Sequence, residues 1–212
     1  IDRSPIQFSE GNHSRLRPGD IKYRDLNGDG VIDDYDKMPI GFCDIPEITY
    51  GFGGAIEWKG FDVSIFFQGT ARVSLFEEGS TIVPFSSGYK NNDGFLRGVM
   101  ENRWTVDNPD PNARYPRTIR PSDALDNNNT KKSSFWVRNA AFLRLKNAEI
   151  GYTFPKRWME KMAIQNLRLY VSGVNLLTWA PDVHLFDPDL GSGDGRKYPP
   201  TRVFNVGLNI NF

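Results

Sequence analysis

The sequence has few cysteines, few histidines and no surplus of either charge. Cys43 is the only cysteine among 212 residues, so no disulfide can form within the chain, and we expect a packed thiol there. The 26 Lys and Arg residues are balanced by 26 Asp and Glu residues. Because phosphate contacts need a basic surplus, no nucleic-acid partner is expected. The absence of any apolar run of about 18 residues excludes a transmembrane helix but leaves a transmembrane barrel open.

Candidate catalytic residues are also sparse. His13 and His184 each lack a second His or Cys at the spacing of metal ligands. The acidic pairs in Asp107–Pro111 and Asp187–Asp189 lie in turn-rich sequence and are not accompanied by other signs of a glycosidase pocket. We therefore predict that the protein is not an enzyme.

The sequence does contain long stretches in which apolar residues alternate with polar ones. Five segments of roughly 9–13 residues follow this period of two. The segments are Thr49–Trp58, Phe61–Gly69, Phe142–Phe154, Leu167–Trp179 and Phe204–Phe212. Only the dipeptide KG separates the first two segments, which predicts a tight hairpin. In the third segment the apolar parity changes near Lys146 and Asn147, which predicts a β-bulge.

The strands must separate two different media, and their length favours lipid as one of them. Each segment is long for a globular strand and has the length of a tilted bilayer crossing. Short connections alternate with long ones, as in barrels with short periplasmic turns and long external loops. Trp58, Phe61, Phe154 and Phe212 would lie at the short-turn end, where an aromatic girdle is expected, with Trp158 just beyond. The alternative is a soluble sandwich in which the apolar faces pack on each other.

The acidic loop, residues 25–36 with the sequence DLNGDGVIDDYD, has the spacing of a calcium-binding loop. The predicted ligands are Asp25, Asn27, Asp29, the carbonyl of Val31, Asp33 and Asp36. Gly30 permits the sharp turn, and Asp36 is one methylene shorter than the usual Glu. Because a pair of flanking helices is not recognisable, we expect structural rather than regulatory calcium. The alternative is a solvated acidic turn.

Six stretches, spread over nearly the whole chain, carry a family resemblance. They read PGDIKYRDLNGDGVIDDYDKMPIG, YGFGGAIEWKGFDVSIFFQGT, NRWTVDNP, SSFWVRNAAFLRLKNAEIGYTFP, LRLYVSGVNLLTW and GLNINF. In this order they resemble the C-terminal part of SusC/RagA-type TonB-dependent outer-membrane transporters. The resemblance implies an all-β fold, namely the C-terminal strands of a large antiparallel transmembrane β-barrel with long extracellular loops. Residues 1–48 would be an extracellular loop containing the acidic loop, and residues 49–212 would supply five strands, with long loops 69–141 and 179–202.

The resemblance also implies a location and a set of partners. In the terminal strand the residues expected to face outer-membrane lipid are Phe204, Val206, Leu208, Ile210 and Phe212. The implied partners are the remainder of the same barrel with its N-terminal plug and strands, a SusD-like surface lipoprotein, and TonB acting through the missing N-terminal part. Because the sequence starts in a loop and without an initiator Met, we expect a piece of a longer precursor.

The resulting prediction is part of a TonB-dependent nutrient importer that takes up glycan oligosaccharides or peptides. Some aromatic residues of the long loops are candidates for contact with substrate or lid, and packing within the loops is the alternative. These residues are Trp104, Trp136, Trp179, Tyr115 and Tyr198. Two other functions fit the sequence: a soluble calcium-stabilised β-rich binding module, and a passive porin, which would lack the plug.

Overall fold

The structure, a computed structural model, describes residues 7–8, 16–79, 81–82, 96–118, 128–159, 163–193 and 195–212. These residues form two compact units. The sheet unit consists of the described residues within Phe42–Ser74, Asn139–Gly191 and Lys197–Phe212. The loop unit consists of those within Ile1–Gly41, Leu75–Arg138 and Ser192–Arg196. No helix in the described ranges is long and apolar enough to cross a membrane.

Strands are the main regular secondary structure among the described residues. The strands are β1 (Gln7–Phe8), β2 (Val31–Ile32), β3 (Ile48–Trp58), β4 (Phe61–Ala71), β5 (Ser74–Phe76), β6 (Val137–Asn139), β7 (Phe142–Thr153), β8 (Asn166–Trp179) and β9 (Val203–Asn211). The helices are α1 (Arg97–Glu101) and α2 (Lys156–Met159), and short 3-10 turns span Asp34–Asp36, Asn128–Thr130 and Pro188–Leu190. The five long strands have the positions that the alternating pattern predicts, to within a few residues.

The sheet unit is built on one five-stranded antiparallel sheet with the neighbour order β3–β4–β7–β8–β9. Each strand therefore pairs with the next long strand along the chain, in an up-and-down arrangement. The connection between β3 and β4 is the two-residue turn Lys59–Gly60, whose φ angles are 50° and 89°. Positive φ at both central residues is the geometry of a hairpin turn that matches the strand twist. The predicted tight hairpin is confirmed.

The predicted β-bulge in β7 is confirmed as well. On the β4 side, Phe67 pairs with Leu145 and Phe66 with Asn147, so Lys146 has no partner in the register. The pairing of β7 with β8 shifts at the same place. The extra residue reverses the parity of β7, and for that reason its apolar residues stay on one side of the sheet along its whole length.

The cross-strand register gives the sheet an apolar face and a polar face. One row across the sheet consists of Ile56, Val63, Ile150, Val171 and Val206, and the next consists of Trp58, Phe61, Tyr152, Leu169 and Leu208. These side chains do not form a core, because Ile56 is 74% exposed and Val206 is 76% exposed. The strand termini at which β3 meets β4 and β7 leads to α2 and β8 are called the short-turn end below.

The loop unit has a conventional buried core. Its fully buried apolar side chains include Leu75, Ile82, Val99, Tyr115 and Trp136. The rings of Tyr115 and Trp136 lie 6.3 Å apart in a tilted arrangement. In this region β5 pairs with β6, and β1 pairs in parallel with β2. Neither short pair shows a long alternating pattern in the sequence, and sequence reasoning missed both.

Candidate membrane interface, polar face and acidic loop

Aromatic rings line the short-turn end of the apolar face. The ring centroids of Phe61 and Tyr152 are 4.6 Å apart, those of Tyr152 and Phe154 are 5.0 Å apart, and those of Phe154 and Trp158 are 6.1 Å apart. Trp58 lies at the same end and is 65% exposed. This ring cluster is located where the sequence predicts an aromatic girdle, and it runs across neighbouring strands without a gap.

A second group of aromatic rings lies toward the opposite end of the same face. Phe52 stacks on Phe67 with centroids 5.2 Å apart, and Phe67 is 6.4 Å from Trp179. Half of the Trp179 surface is exposed, at 50%. Two aromatic groups separated by an apolar band are typical of a strand surface whose ends lie at the two interfaces of a bilayer.

The terminal strand follows the predicted alternation. Four of the five residues predicted to face lipid lie on β9, and the fifth, Phe212, directly follows the strand. All five are exposed: Phe204, Val206, Leu208, Ile210 and Phe212. Leu208 lies opposite Leu169 and Val206 opposite Val171, so the predicted residues continue the apolar rows of the rest of the sheet.

The charged residues of the five long strands are almost all on the polar face. Lys146 at the bulge is the exception among them. The residues whose register places them on the polar face are Glu57, Asp62, Arg144, Glu149 and Arg168. A charge on the outside of a transmembrane strand is destabilising. The segregation of charge therefore matches a wall with lipid on one side and water on the other.

Arg168 joins three strands on the polar face. Its Nε donates to Asp62 Oδ1 at 3.0 Å, and its Nη2 donates both to Asp62 Oδ2 and, at 2.6 Å, to Glu149 Oε1. Its guanidinium also lies 4.9 Å from the centre of the Tyr170 ring. Two carboxylates share one guanidinium, so this cluster has a net negative charge and is partly open to solvent.

Two glycines on the polar face make room for these large side chains. A Cβ at Gly151 would lie 2.5 Å from Arg168 Nη2, and a Cβ at Gly207 would overlap the ring of Tyr170. Each side chain therefore lies across a neighbouring strand where that strand has no side chain. Sequence reasoning missed these pairs because they depend on the cross-strand register.

Arg144 is buried and fixes the connection between β8 and β9. Its Nη2 donates to Asp187 Oδ1 at 2.5 Å, its Nη1 lies 3.0 Å from Asp189 Oδ2, and its Nε donates to Thr178 Oγ1 at 3.1 Å. Burial raises the pKa of Asp189, although the nearby Arg144 opposes this shift. The acidic pair in Asp187–Asp189 thus binds a cation of the chain itself.

The acidic loop closes on itself through backbone hydrogen bonds to its first and last carboxylates. Asp25 accepts hydrogen bonds from the amides of Gly28 and Gly30, at 2.6 and 2.8 Å. Asp36 Oδ1 accepts from the amide of Leu26 at 2.7 Å, which links the twelfth position to the second. Because backbone amides donate to Asp36, its pKa lies below the usual value for an aspartate.

The other predicted ligand residues form local turns. Asn27 Oδ1 accepts from the amide of Asp29 at 2.9 Å, Asp29 Oδ1 accepts from Val31 at 2.8 Å, and Asp33 Oδ1 accepts from Tyr35 at 2.8 Å. Carboxylate and amide oxygens are the ligand atoms that calcium prefers. An ionised carboxylate has about four lone-pair sites, so these hydrogen bonds leave sites for a cation. Within the part of the chain that the structure describes, however, no three His, Cys, Asp or Glu side chains are grouped closely enough to hold a metal ion.

A buried carboxylate organises the loop unit. Glu77 Oε2 lies 2.9 Å from Arg138 Nε, Glu77 Oε1 lies 3.5 Å from Arg114 Nη2, and the Glu77 side chain is completely buried at 0% exposure. The hydroxyl of Tyr115 donates to Glu77 at 3.4 Å. Burial and the charge of Glu77 raise the pKa of Tyr115. No sequence motif predicts this cluster, because its members come from segments that are far apart in the sequence.

The loop aromatics divide between packing and exposure. Tyr115 and Trp136 are buried, at 2% and 3%, so packing within the loop is the correct alternative for these two. Trp104 packs over Gly19, whose Cβ position its ring occupies. Trp179 is not a loop residue but the last residue of β8, where it belongs to the second ring group on the apolar face, and Tyr198 is 84% exposed.

The prediction of a packed thiol at Cys43 is wrong. Cys43 is exposed and has its Sγ 3.4 Å from Asp44 Oδ1. The residue lies in the connection before β3, where neither strand pairing nor the buried core of the unit covers it.

Sequence comparisons point to outer-membrane receptors. No family model matches the chain. The chain is 30% identical to "TonB-dependent receptor P26" of Formosa agariphila over 208 residues, covering 92% of the chain and 20% of the receptor. It is 31% identical to "TonB-dependent receptor P3" of the same bacterium, covering 92% of the chain and 19% of the receptor. It is 26% identical to "TonB-dependent receptor SusC" of Bacteroides thetaiotaomicron, covering 92% of the chain and 18% of the receptor.

Solved structures of a peptide transporter share the fold. The structure titled "Structure of the RagAB peptide transporter" matches with a TM-score of 0.59 and 24% identity, over 81% of this chain and 18% of that chain. The "closed-closed" state of the RagAB peptide importer matches with a TM-score of 0.61 and 24% identity, over 85% of this chain and 19% of that one. The chain spans about a fifth of the length of the curated relatives it matches.

Together, the open apolar face, the segregated charges and the structural matches define the class of the protein: its long strands are strands of an antiparallel transmembrane β-barrel. The chain belongs to the SusC/RagA family of TonB-dependent receptors, as the order of its six motifs indicates and the relatives show. These relatives are named as receptors and not as enzymes.

Proposed function

We propose that the protein is part of an outer-membrane importer that takes up oligosaccharides or peptides. One observation carries the proposal: in the five long strands, apolar residues line one open face and charged residues, apart from Lys146, occupy the other. A barrel wall of this kind encloses a hydrated lumen, through which a polar solute passes. In this location Phe204, Val206, Leu208, Ile210 and Phe212 contact lipid.

The names of the relatives support the energy source, and the family resemblance supports the partner. Those relatives are named TonB-dependent, and the matched RagAB structures are titled as a peptide transporter and importer. We therefore propose coupling to TonB through the remainder of the same barrel and its plug, and a SusD-like surface lipoprotein as the external partner. The soluble-module alternative requires apolar strand faces that pack on each other, whereas Ile56 and Val206 are largely exposed.

The proposal is tested in the bacterium that carries the gene. Deletion of the gene should abolish growth on at least one oligosaccharide or peptide mixture, and an affinity-tagged receptor should be recovered from the outer-membrane fraction with a surface lipoprotein. A protonophore should stop uptake, because TonB draws on the inner membrane for energy, whereas a passive porin would continue to conduct. Recovery of the tagged protein from the soluble fraction would contradict the proposal.

We also propose that the acidic loop binds a structural calcium ion through Asp25, Asn27, Asp29, the Val31 carbonyl, Asp33 and Asp36. The hydrogen bond from the Leu26 amide to Asp36 supports this, because it brings the last predicted ligand back to the start of the loop. The glycines of the loop, Gly28 and Gly30, have positive φ angles of 80° and 83°, which allow the chain to curl around an ion.

Limited proteolysis tests the calcium site. Calcium should protect the acidic loop from cleavage relative to chelator, and the double substitution Asp25→Ala with Asp29→Ala should abolish the protection. Asp34→Ala is the matched control, because Asp34 lies in the same loop but at a position that supplies no predicted ligand. An identical digestion pattern with calcium and with chelator would count against the site.

A further inference from the structure

Three cationic side chains stand at the short-turn end of the sheet unit. Lys59 lies in the turn between β3 and β4, and Lys156 and Arg157 lie in α2 after β7. All three are exposed. None of them forms an ion pair with a described carboxylate, and the acidic residues of the adjacent hairpin strands, Glu57 and Asp62, lie on the polar face. The structure therefore describes three exposed cations in the two connections at this end.

The ammonium of Lys59 lies on the aromatic side of the turn. Its Nζ is 4.8 Å from the centre of the Trp58 ring, and the ring itself is largely exposed on the apolar face. Lys59 has a φ of 50°, a conformation for which Asn or Gly is the usual residue. A lysine in this strained position places a charge at the edge of the apolar surface.

The turn and α2 are neighbours within the sheet unit. The amide of Thr153 donates to the carbonyl of Gly60 at 2.7 Å, which joins the end of β7 to the turn. From there the rings of Phe154 and Trp158 lie 6.1 Å apart and lead into α2. Lys59 and the two cations of α2 consequently border one continuous aromatic surface.

We propose that this edge binds the headgroup of an anionic phospholipid of the phosphatidylglycerol type, with Lys59, Lys156 and Arg157 as the cations. Charge complementarity selects this occupant: tryptophan and tyrosine rings lie at the level of the headgroups, and basic side chains at that level attract anionic lipid. The acyl chains lie along the apolar rows of β4 and β7. The inference rests on the proposed location in the outer membrane but not on import.

Native mass spectrometry of the membrane-extracted protein tests the site. The protein is equilibrated with mixed micelles that contain equal amounts of phosphatidylglycerol and phosphatidylcholine, and the retained lipids are counted. The test variant is K59Q/K156Q/R157Q. The control variant, K37Q/R97Q/K132Q, loses the same number of charges at exposed positions of the loop unit. A heat-dependent gel shift shows that each variant contains a folded barrel.

The wild type should prefer phosphatidylglycerol. One basic residue near an anionic surface accounts for roughly fivefold, so the test variant, which lacks three, should lose at least about tenfold of that preference. The control variant should match the wild type, and excess inorganic phosphate should not displace the lipid. Equal retention of both lipids by the wild type, or an unchanged preference in the test variant, would overturn the proposal. A protein absent from the membrane fraction would instead contradict the proposed location.

Discussion

The sheet unit and the loop unit place their apolar side chains in opposite ways. In the sheet unit Ile56 and Val206 are 74% and 76% exposed, whereas in the loop unit Ile82 and Val99 are 0% and 1% exposed. The charged clusters differ as well, because Glu77 is fully buried in the loop unit, whereas the Arg168 cluster on the polar face of the sheet is partly open to solvent. The loop unit therefore buries its apolar side chains as a water-exposed fold does, whereas the long strands of the sheet unit present theirs outward, as the strands of a transmembrane barrel do.

The largest expected effect is in the loop unit. Glu77→Ala leaves Arg138 buried without its carboxylate, which should cost about 3–5 kcal/mol. The matched control is Glu78→Ala, since Glu78 is 44% exposed and pairs with Lys132 at 3.1 Å; it should cost about 0–1 kcal/mol. Hydrogen exchange of the loop unit at increasing denaturant measures both values. Similar losses for the two variants would show that Glu77 is not a buried anchor.

A charge on the apolar face should have the next largest effect. Ile65→Arg, in the middle of β4, should cost about 2–4 kcal/mol in a bilayer, because lipid does not solvate the guanidinium. The neighbouring substitution Ser64→Arg points to the polar face opposite Glu149 and should be nearly neutral. Denaturant titration of the protein in lipid vesicles separates the two. If the two substitutions destabilise the protein equally, the two faces of β4 do not lie in different media.

A smaller effect is expected from filling a glycine position on the polar face. Gly207→Ala places a Cβ 2.2 Å from Cζ of Tyr170, and the forced shift should cost about 1–3 kcal/mol. Gly54→Ala, opposite Ile65 on the apolar face, is the control for a methyl group that meets no other atom, because nothing lies within 4 Å of the new Cβ. The same vesicle titration applies. If both variants are neutral, Tyr170 does not lie on Gly207 in the membrane-embedded protein.

The smallest predicted effect is a pH dependence in the loop unit. Burial raises the pKa of Tyr23 to about 12 from 10.0, although a hydrogen bond with Ser133 opposes the shift. The folded state therefore holds the proton more tightly than the unfolded chain. The contribution of Tyr23 to the free energy of unfolding is therefore fully present below pH 10. It is lost between pH 10 and about 12, where Tyr23 ionises only in the unfolded chain.

The denaturant midpoint, followed by tryptophan fluorescence from about pH 9 to 12, tests this effect. Tyr23→Phe should remove part of the alkaline loss, whereas Tyr35→Phe, at an 83% exposed position, should leave the loss unchanged. If Tyr23→Phe and the wild type lose stability in parallel, Tyr23 does not keep its proton in the folded state.

Sequence reasoning found what is local. The alternation fixed β3, β4, β7, β8 and β9, and the parity change located the bulge at Lys146, because a period of two is visible in any single strand. The twelve-residue spacing of the acidic loop is likewise local, and its backbone hydrogen bonds lie within that loop.

Contacts between residues that are far apart in the sequence could not be predicted from the sequence alone. Glu77 meets Arg138 only after folding, and Arg168 reaches Asp62 across a strand that has Gly151 at the crossing. Exposure was misjudged at Cys43, since a single sequence does not show which parts of a loop are covered. The positions of Gly151 and Gly207 under large side chains follow from the cross-strand register, and that register is known only from the structure.

The central claim is that the two rows of β9 face different media. Spin labels attached to single cysteines along Val203–Asn211, after replacement of Cys43 by Ser, measure this directly through their collisions with oxygen, which dissolves in lipid, and with a water-soluble nickel complex. We expect an alternation, with oxygen collisions dominant at Phe204, Val206, Leu208 and Ile210 and nickel collisions dominant at Asn205, Gly207 and Asn209. Uniform accessibility to the nickel complex along the strand would contradict it.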